Sequence, residues 1–454
     1  MHTTCMWFGR ASLLLLILSA LAGCASYTPL PLPTRPDLAS ISTALTVPVT
    51  AFDAPGVHVT RVDLDQPLNA AAIAALAVLN NPALRAMRAS RGVAAAQSYA
   101  AGLLPWPQIA LRVSRPAPGG ASLHSGWSVS VGEAFAALLQ HADAERAARA
   151  DETGVRLDVV WDEWQVAQQA RLLYAAIERD SVRLTVLQPL LELYAERARA
   201  GHAAFLAGGL SRATVSAAGA ADTQLLAQAD TLELAHAKNL AALTGLLGLA
   251  PHTPLKLALD DHPTVVDAKT LPGAIAALPH RRPDLMALAA VYRSADARLR
   301  QAVLAQFPLI GVSLSRERDT EGVISNGLSL SFNLPFLNAA RGQVTVARAM
   351  RQSLHDAYQA RLDASATEVT SLSDAANHLH AAFVQMQQTV SVRDEPTDTQ
   401  PGTVSFNVLA AYLAQRRQME DELASLRYTL DQTTIALDTV LGMPMEHARS
   451  KAST

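Results

Sequence analysis

Few side chains in this sequence are arranged for catalysis or for metal binding. The sequence has 13 histidines, and His378 and His380 form its only close pair. Residues two apart on a helix point to different sides, so these two imidazoles are poorly placed to share a metal. A phosphate-binding loop, a dinucleotide fingerprint, a nucleophile elbow and an HExxH pattern are all absent from the sequence. We therefore predict no catalytic residue, no metal site and no cofactor, so any energy-requiring work must be driven by a partner.

One cysteine lies in a context that indicates lipid attachment. The apolar run 11–20 has the length of a signal-peptide core and is too short to cross a bilayer. Leu21-Ala22-Gly23-Cys24 follows it and resembles the lipobox of bacterial lipoproteins. The resemblance implies that residues 1–23 are a signal peptide and that Cys24 is acylated, which anchors the chain firmly. Ala25, in place of an aspartate, indicates sorting to the outer membrane.

The composition excludes several classes of protein. The 454 residues carry a formal net charge of −3, so the chain lacks the basic field of a nucleic-acid binder. Half of the residues are hydrophobic, which is enough apolar surface for the bulk of the chain to fold. Cys5 and Cys24 are the only cysteines, so a disulfide scaffold is excluded. Residues 27–58 contain six prolines, and we expect residues 24–67 to form a lipid-anchored, extended segment.

The sequence contains an internal repeat. Asn81-Pro82-Ala83-Leu84 aligns with Arg282-Pro283-Asp284-Leu285 at a spacing of 201 residues, which holds without a gap for over 50 residues. Near the end of each half the spacing becomes 194, where Leu247-Gly248 aligns with Leu441-Gly442. Prolines, glycines and an aromatic residue in one register indicate a duplication. The predicted segments are a first repeat at 68–260, a second repeat at 271–445 and a disordered tail at 446–454.

Each half is predicted to contain a helix, two strands, a long helix and a returning helix. The first helices cover about 68–104 and 271–305, and Pro82 and Pro283 interrupt them because proline lacks an amide donor. Apolar residues three and four apart in the long helices are typical of coiled-coil walls. Gly154 and Pro189 should bend the first long helix. The long helices are predicted at about 135–200 and 337–392, and the returning helices at about 211–246 and 405–440.

The four predicted strands alternate apolar and small polar residues. They cover about 108–115, 126–132, 308–315 and 327–333, and the loops within the two pairs, 115–125 and 316–326, are polar and equal in length. Period-two alternation gives each strand one apolar and one serine-rich face. One interpretation is a soluble sheet with one face on a core. The other is a membrane barrel with its apolar face toward lipid and its polar face toward water.

A membrane barrel would require several copies of this chain. Four strands cannot enclose a bore, and open strand edges cannot lie in hydrocarbon. Three chains would supply twelve strands. The predicted fold class is therefore mainly α with a small β part, in which a duplicated helix-strand-strand-long helix-helix unit forms a trimeric twelve-stranded β-barrel that continues into an α-helical coiled-coil barrel.

Several short motifs together resemble those of the TolC-like outer membrane factors, with the closest similarity to the lipoprotein branch that serves efflux pumps. They are the Cys24 lipobox, Arg282-Pro283-Asp284-Leu285, Phe307-Pro308 before a strand and Leu334-Pro335-Phe336 after one. The resemblance covers roughly residues 60–445. It implies a homotrimer in the outer membrane whose helical tunnel extends into the periplasm. The implied partners are outer membrane lipid, a periplasmic adaptor and an inner-membrane pump, most simply of the RND type.

The resemblance also implies a narrow periplasmic end just after the turn in the second half. Family members often carry an acidic residue before Val-Leu there, whereas this chain has Asn407 and, three residues on, Ala410. We take Asn407 and Ala410 as the candidate pore constriction. Asp394, Glu395 and Asp398 lie just upstream and have two interpretations, a replacement for the missing charge or a solvated acidic loop.

Two functional hypotheses follow from the sequence. The first is an exit duct that passes small toxic molecules from a pump and adaptor to the outside, without enzyme activity. The alternative is a structural coiled-coil periplasmic lipoprotein that has no pore. The two differ in whether the alternating strands face lipid and water or lie in a soluble sheet.

Overall fold

The computed structural model describes most of the repeated region and parts of the N-terminal segment. The described residues are 27–40, 45, 52–54, 57–59, 62–115, 124–258, 271–307, 309–333, 339–393 and 406–442. The predicted signal peptide and Cys24 lie outside them, as do Pro308, Leu334-Pro335-Phe336 and the acidic residues Asp394, Glu395 and Asp398. The chain divides into two units, residues 1–38 and 39–454. In the first unit, residues 27–38 are exposed and form no helix or strand.

The second unit is mainly helical and carries one four-stranded sheet among the described residues, which confirms the predicted fold class of mainly α with a small β part. The trimer and its twelve-stranded barrel stay predictions. Its helices are α1 Ala70–Asn80, α2 Pro82–Gly102, α3 Phe135–Leu206, α4 Arg212–Leu246, α5 Leu271–Arg281, α6 Pro283–Leu304, α7 Ala339–Arg393 and α8 Phe406–Leu441. Its strands are β1 Phe52–Ala54, β2 Val57–Val59, β3 Gln108–Ser114, β4 Gly126–Ala134, β5 Leu309–Arg318 and β6 Ile324–Asn333. Strands β1 and β2 form a separate small hairpin.

The long helices are continuous over the predicted ranges. At 1.5 Å per residue, the 72 residues of α3 span about 108 Å and the 55 residues of α7 about 83 Å. The predicted interruptions at Gly154 and Pro189 do not break α3. A Cβ atom at Gly154 would lie 3.2 Å from Val291 Cγ2. The glycine therefore lets α3 approach α6 closely.

The two halves end in the same backbone arrangement, as the duplication predicts. In each half a glycine after the returning helix packs against the end of α1 or α5, and we call this contact the joint. Gly248 and Gly442, 194 residues apart, have positive φ angles of 70° and 71° and terminate α4 and α8. Glycine suits a left-handed residue after a helix because it has no Cβ. A Cβ atom at Gly248 would lie 3.0 Å from Asn80 O, and one at Gly442 would lie 3.1 Å from Arg281 O. Asn80 and Arg281 are themselves 201 residues apart, so the repeat spacing is also a spatial correspondence.

Each joint is packed by its own apolar cluster. In the first half, Leu243 and Leu247 pack with α1 and with Tyr174 of α3. In the second half, Leu437 and Leu441 occupy the corresponding positions and pack with Leu278, Leu285 and Val369. Pro82 and Pro283 begin α2 and α6 at the first helical position, where the missing amide hydrogen costs no helical bond. Each half therefore fixes the direction of the helix that precedes its strands, α2 or α6, against the end of its returning helix.

The order of neighbours is the same in the sheet and in the helices that adjoin it. The strands pair antiparallel in the order β3-β4-β5-β6. The helices attached to these strands pack α2 on α3, α3 on α6 and α6 on α7. Strand β4 passes directly into α3, from Ala134 to Phe135. The same order means that one structural wall continues from sheet to helices, with β3 and α2 at one edge and β6 and α7 at the other.

By length and hydropathy, none of the described helices taken singly could cross a membrane, although α1 and α2, which meet at a 51° bend, could do so as a pair.

Candidate functional site

The four-stranded sheet has one apolar and one polar face. The ladder aligns Ile109, Val131, Leu314 and Leu328 across the four strands on one face. One residue along, it aligns Ala110, Ser130, Ser315 and Gly327 on the other face. Leu111, Leu314 and Leu328 are all more than 60% exposed, so the subunit buries neither these side chains nor the face that they form. A soluble sheet would cover that face with a core, so the exposed apolar surface requires an environment other than water.

The polar face is formed by glycines and serines that crowd each other. A Cβ atom at Gly132 would lie 2.9 Å from Ser313 Cβ, and one at Gly327 would lie 2.8 Å from Ser315 Oγ. Gly311 is closer still to Ser331. Side chains on the inner side of a curved sheet converge, so small residues on this face permit curvature toward it. The polar face is therefore suited to be the concave, interior side of a barrel wall.

Charged residues lie at the end of the sheet that is remote from the helices. On the polar face, Arg112 aligns with Ser128, Glu317 and Ser325. On the apolar face, Arg316 aligns with Val129, and Arg318 aligns with Trp127. The uncharged apolar band thus ends near the hairpins, and Trp127 lies at this limit, as aromatic residues do at membrane interfaces.

The second hairpin differs from the prediction of equal polar loops. Strand β5 extends to Arg318 and β6 begins at Ile324, so residues 316–318 and 324–326 belong to the ladder. Asp319 closes the remaining turn by accepting hydrogen bonds at Oδ1 from the amides of Glu321 and Val323, each at 2.9 Å. In the first hairpin, β3 ends at Ser114. Pro116 and Pro118 follow it, and proline cannot donate to a ladder.

Both edges of this sheet lack a partner strand among the described residues. Strands β3 and β6 each pair on one side only. All seven residues of β3 are exposed. A strand edge in hydrocarbon would leave backbone amides and carbonyls without hydrogen bonds, which costs several kcal/mol for each group. A membrane location for this sheet therefore requires another strand at each edge.

A buried arginine fixes the helical part of the wall below the sheet. The Arg282 side chain is 1% exposed and donates to both Asp284 carboxylate oxygens, at 2.9 and 2.6 Å. It also donates to Ser365 Oγ at 2.7 Å and to Val440 O at 3.2 Å. The Arg282 guanidinium carbon lies 5.0 Å from the centre of the Trp161 ring. One side chain thus connects the start of α6 to α3, α7 and the end of α8.

The first half makes the same connection with a neutral side chain. Asn81 Nδ2 donates to Leu246 O at 3.0 Å, and Asn81 Oδ1 accepts from the Leu84 amide at 3.0 Å. Asn81 and Arg282 are repeat partners, and so are Leu246 and Val440, whose carbonyls they bind. The geometry of the joint is therefore shared by both halves, whereas its chemistry is neutral in one and ionic in the other.

Three carboxylates near this arginine have shifted pKa values. Burial alone would raise the pKa of Asp284, but its hydrogen bonds to Arg282 and Arg361, and their charges, hold it below its ordinary value. Burial raises the pKa of Asp158, and the negative charges of Asp162 and Asp284 raise it further. Burial, followed by the charge of Glu163, raises the pKa of Asp162. Ion pairs with Arg282 and Arg361 thus stabilise this cluster, whereas repulsion among its carboxylates destabilises it.

Comparison with solved structures identifies this arrangement. The chain is similar to the outer-membrane channel OprN, with a TM-score of 0.66 and 16% identity over 92% of this chain and 99% of that one. It is also similar to the outer membrane protein VceC from Vibrio cholerae, with a TM-score of 0.65 and 16% identity over 82% and 95% of the two chains.

The open state of the Neisseria gonorrhoeae MtrE outer membrane channel gives a TM-score of 0.64 at 15% identity, over 88% and 98% of the two chains. The chain has the fold of the outer membrane channels. The predicted resemblance to TolC-like outer membrane factors is thus confirmed for the fold. No protein-family model and no curated protein sequence matches the chain.

Within this channel fold, the predicted site residues occupy different places. Asn407 lies in the first turn of α8. Ala410 lies in the next turn and is 6% exposed, so its methyl group is covered by the subunit itself. Cys24 lies outside the described residues. Asn407 and Ala410 thus lie three residues apart in the same helix. The pore constriction and the lipid attachment both stay predictions.

The sequence interpretation missed the charged end of the second channel hairpin. The polarity of residues 316–326 predicts a loop there, whereas the structure places Arg316, Glu317 and Arg318 in β5. A usable signal was the lack of proline between residues 309 and 333, in contrast to Pro116 and Pro118 in the first half. Extension of β5 by three residues adds Glu317 to the polar face, which already carried Arg112.

Proposed function

We propose that the protein is the outer membrane exit duct of a multicomponent export system. Three copies join edge to edge, so that their sheets form a twelve-stranded barrel and their helices form a tunnel that extends into the periplasm. The polar faces line a water-filled passage, and the apolar faces contact lipid. The likeness to outer membrane channels supports this function, since the chain covers nearly their whole length.

The observation that carries the proposal is a two-faced sheet with two open edges. Its apolar face is exposed, its polar face is lined by small residues, and β3 and β6 each need a further strand. Pairing β6 of one copy with β3 of the next satisfies both edges at once. Such a heterologous contact generates a ring when its rotation closes, and a closed barrel has no edges.

The helices support the same ring. Helices α2 and α7 lie at the two edges of the helical wall, and each carries exposed apolar side chains that a neighbouring copy would cover. Tyr99 on α2 is 72% exposed, and Val346 and Met350 on α7 are 67% and 58% exposed. One rotation between subunits would therefore complete the sheet and bury these side chains together.

The partners and cargo are part of the proposal. A passive duct needs a pump to supply energy, so we propose an inner-membrane pump of the RND type and a periplasmic adaptor that docks on the tunnel. Small toxic molecules are the proposed cargo. Acylation of Cys24 would hold the N-terminal segment at the outer membrane. Asn407 and Ala410 are the proposed constriction at the periplasmic end of the tunnel.

The test is to purify the full chain in detergent and determine its mass and its conductance in planar bilayers. We expect a complex of three chains that forms stable, water-filled channels. A monomer without conductance that is released when the lipid anchor is removed would contradict the duct and would support the alternative, a structural periplasmic lipoprotein.

Two substitutions at neighbouring positions of β4 test which face contacts lipid. Val129→Arg puts a charge on the apolar face, where an arginine near the membrane midplane costs about 2–4 kcal/mol. Ser130→Arg puts the same side chain on the polar face, where water can solvate it. We expect Val129→Arg to lower the yield of membrane-inserted trimer strongly and Ser130→Arg to leave it nearly unchanged. Equal yields, or the reverse order, would contradict the assignment of the faces.

A further inference from the structure

Two opposite charges share one row of the polar face near the hairpin end of the sheet. The ladder places Arg112 of β3 beside Ser128 of β4, and Ser128 beside Glu317 of β5. Adjacent strands are about 4.8 Å apart, so the backbones of Arg112 and Glu317 are about 10 Å apart across one small residue. Both charged side chains are exposed. Glu317 accepts a hydrogen bond at Oε1 from Ser325 Oγ of β6 at 3.3 Å.

The rest of the described polar face is uncharged. The positions toward the helices that share this face are Gln108, Ala110, Ser130, Gly132, Gly311, Ser313, Ser315, Gly327, Ser329 and Ser331. The charges of Arg316 and Arg318 lie on the opposite, apolar face. Asp319 is engaged in the turn through its hydrogen bonds to Glu321 and Val323. Arg112 and Glu317 are therefore the charges that a solute on the polar side would meet along the described strands.

We propose that Arg112 and Glu317 form two charge rings of opposite sign, whose balance sets the selectivity of the outer end of the lumen for small ions and charged solutes. The inference rests on the proposed function, because only a closed trimer turns one row into a ring. Threefold symmetry brings three guanidinium groups to one height and three carboxylates to another. Each ring alone would select ions of the opposite sign, and the two together largely cancel.

In dilute salt, the electrostatic potential of these charges extends from the wall into the bore. A bore of twelve strands is wider than that of eight-stranded barrels, which side chains fill, and narrower than that of the sixteen-stranded porins. The Debye length is about 10 Å in 0.1 M salt and about 3 Å in 1 M salt. A charge at the wall therefore reaches much of the bore in dilute salt, whereas concentrated salt confines its effect to the wall.

The experiment measures the reversal potential of reconstituted channels under a KCl gradient. Arg112→Gln leaves the carboxylate ring unopposed, so the permeability ratio of K⁺ to Cl⁻ should rise by about twofold or more in about 0.1 M salt. Glu317→Gln leaves the guanidinium ring unopposed, so the ratio should fall by a similar factor. Both variants should approach the wild-type ratio in about 1 M salt.

Arg316→Gln is the matched control, since it removes the same charge as Arg112→Gln from the opposite face. It should leave the permeability ratio unchanged. If Arg112→Gln and Glu317→Gln conduct with the wild-type permeability ratio in dilute salt, the proposal of charge rings is contradicted, whereas the proposed duct is not. If Arg316→Gln shifts the ratio instead, the faces are inverted and the rings are again wrong. A wild-type protein that does not conduct would overturn the proposed function itself.

Discussion

Arg282 is the residue on which the helical wall depends most. Its guanidinium is fully buried, and its bonds to Asp284, Ser365 and the Val440 carbonyl connect three helices. Removal of one member of a buried ion pair typically costs about 3–5 kcal/mol. Asp284 would keep only its ion pair with the more exposed Arg361, at 3.0 Å. The same position in the first half is Asn81, which makes neutral hydrogen bonds worth about 1 kcal/mol each.

We therefore expect Arg282→Ala to lower the melting temperature of the purified protein strongly, and Asn81→Ala to lower it less. Arg281→Ala is the control, because Arg281 is exposed and adjacent in the chain. The measurement is thermal loss of the helical circular dichroism signal in detergent. A melting curve for Arg282→Ala that matches the wild-type curve would show that the buried cluster does not hold the joint.

The Asp284 carboxylate makes part of this stability dependent on pH. Its pKa is lower in the folded protein than in the unfolded chain, where an aspartate titrates near about 3.9. Its contribution is therefore complete above about pH 4 and is lost as the pH falls through the folded-state pKa. Asp284→Asn should be less stable than wild type at pH 7 and should lose less stability on acidification.

Asp158 provides a control of opposite sign. Its pKa is raised by burial and by the charges of Asp162 and Asp284, so ionised Asp158 opposes folding at neutral pH. Asp158→Asn should therefore raise the melting temperature at pH 7, by a small amount because Asp158 is exposed and solvent screens its charge. Melting curves at a series of pH values distinguish the two residues, and equal acid sensitivity in wild type and Asp284→Asn would contradict the role given to Asp284.

Residue roles were the least predictable part of the chain. The motif Arg282-Pro283-Asp284-Leu285 was visible in the sequence, but Ser365 and Val440 lie 83 and 158 residues further on. No local pattern shows that these groups meet. Glu317 was missed because the alternation of β5 ends at Arg316, although the backbone ladder continues to Arg318.

At the scale of the element, the sheet depends on the absence of side chains at its polar-face glycines. A Cβ atom at Gly132 would meet Ser313 Cβ at 2.9 Å, which is closer than Cβ atoms approach, and Ser313 Cβ is attached directly to the β5 backbone. We expect Gly132→Ala to reduce trimer yield. Gly219→Ala, in the interior of α4 near its N-terminal end and with nothing within 4 Å of its Cβ position, should instead stabilise its helix by about 0.5–1 kcal/mol.

The yields of inserted trimer and the melting temperatures of these two variants can be compared directly. An unaffected Gly132→Ala would mean that the polar face is not crowded and that the concave side has been misassigned. The comparison needs no knowledge of the transported molecule.

Helices and strand cores could be predicted because their signal is local. Helices α7 and α8 begin and end within two residues of the predicted positions, since their apolar spacing continues to the ends. The second hairpin could not be predicted to the same accuracy. Arginine and glutamate are compatible with a strand at a water or headgroup boundary, but they look like loop residues when only polarity is considered.

At the scale of the whole molecule, the proposed barrel closes only when copies of the chain associate, and no single element of the chain determines their number. The sheet supplies four strands with two open edges, and the helices repeat the same edges with exposed apolar residues. The sequence predicts four strands per chain, which is too few to enclose a bore, so it already predicts that several copies must join. The structure shows that the strands and the attached helices have the same order of neighbours. A single rotation between subunits can therefore complete both the sheet and the helical wall.

The most direct measurement is stepwise block of single channels that carry one cysteine in the lumen. Ser130 lies in the middle of β4 on the polar face, so Ser130→Cys should place one reactive thiol per subunit in the water-filled passage. We expect a hydrophilic thiol reagent to reduce the current of a single channel in three discrete steps. Wild type and Val131→Cys, whose thiol faces lipid, should not respond. Channels that do not form, that ignore the reagent, or that close in a number of steps other than three would contradict the trimeric duct.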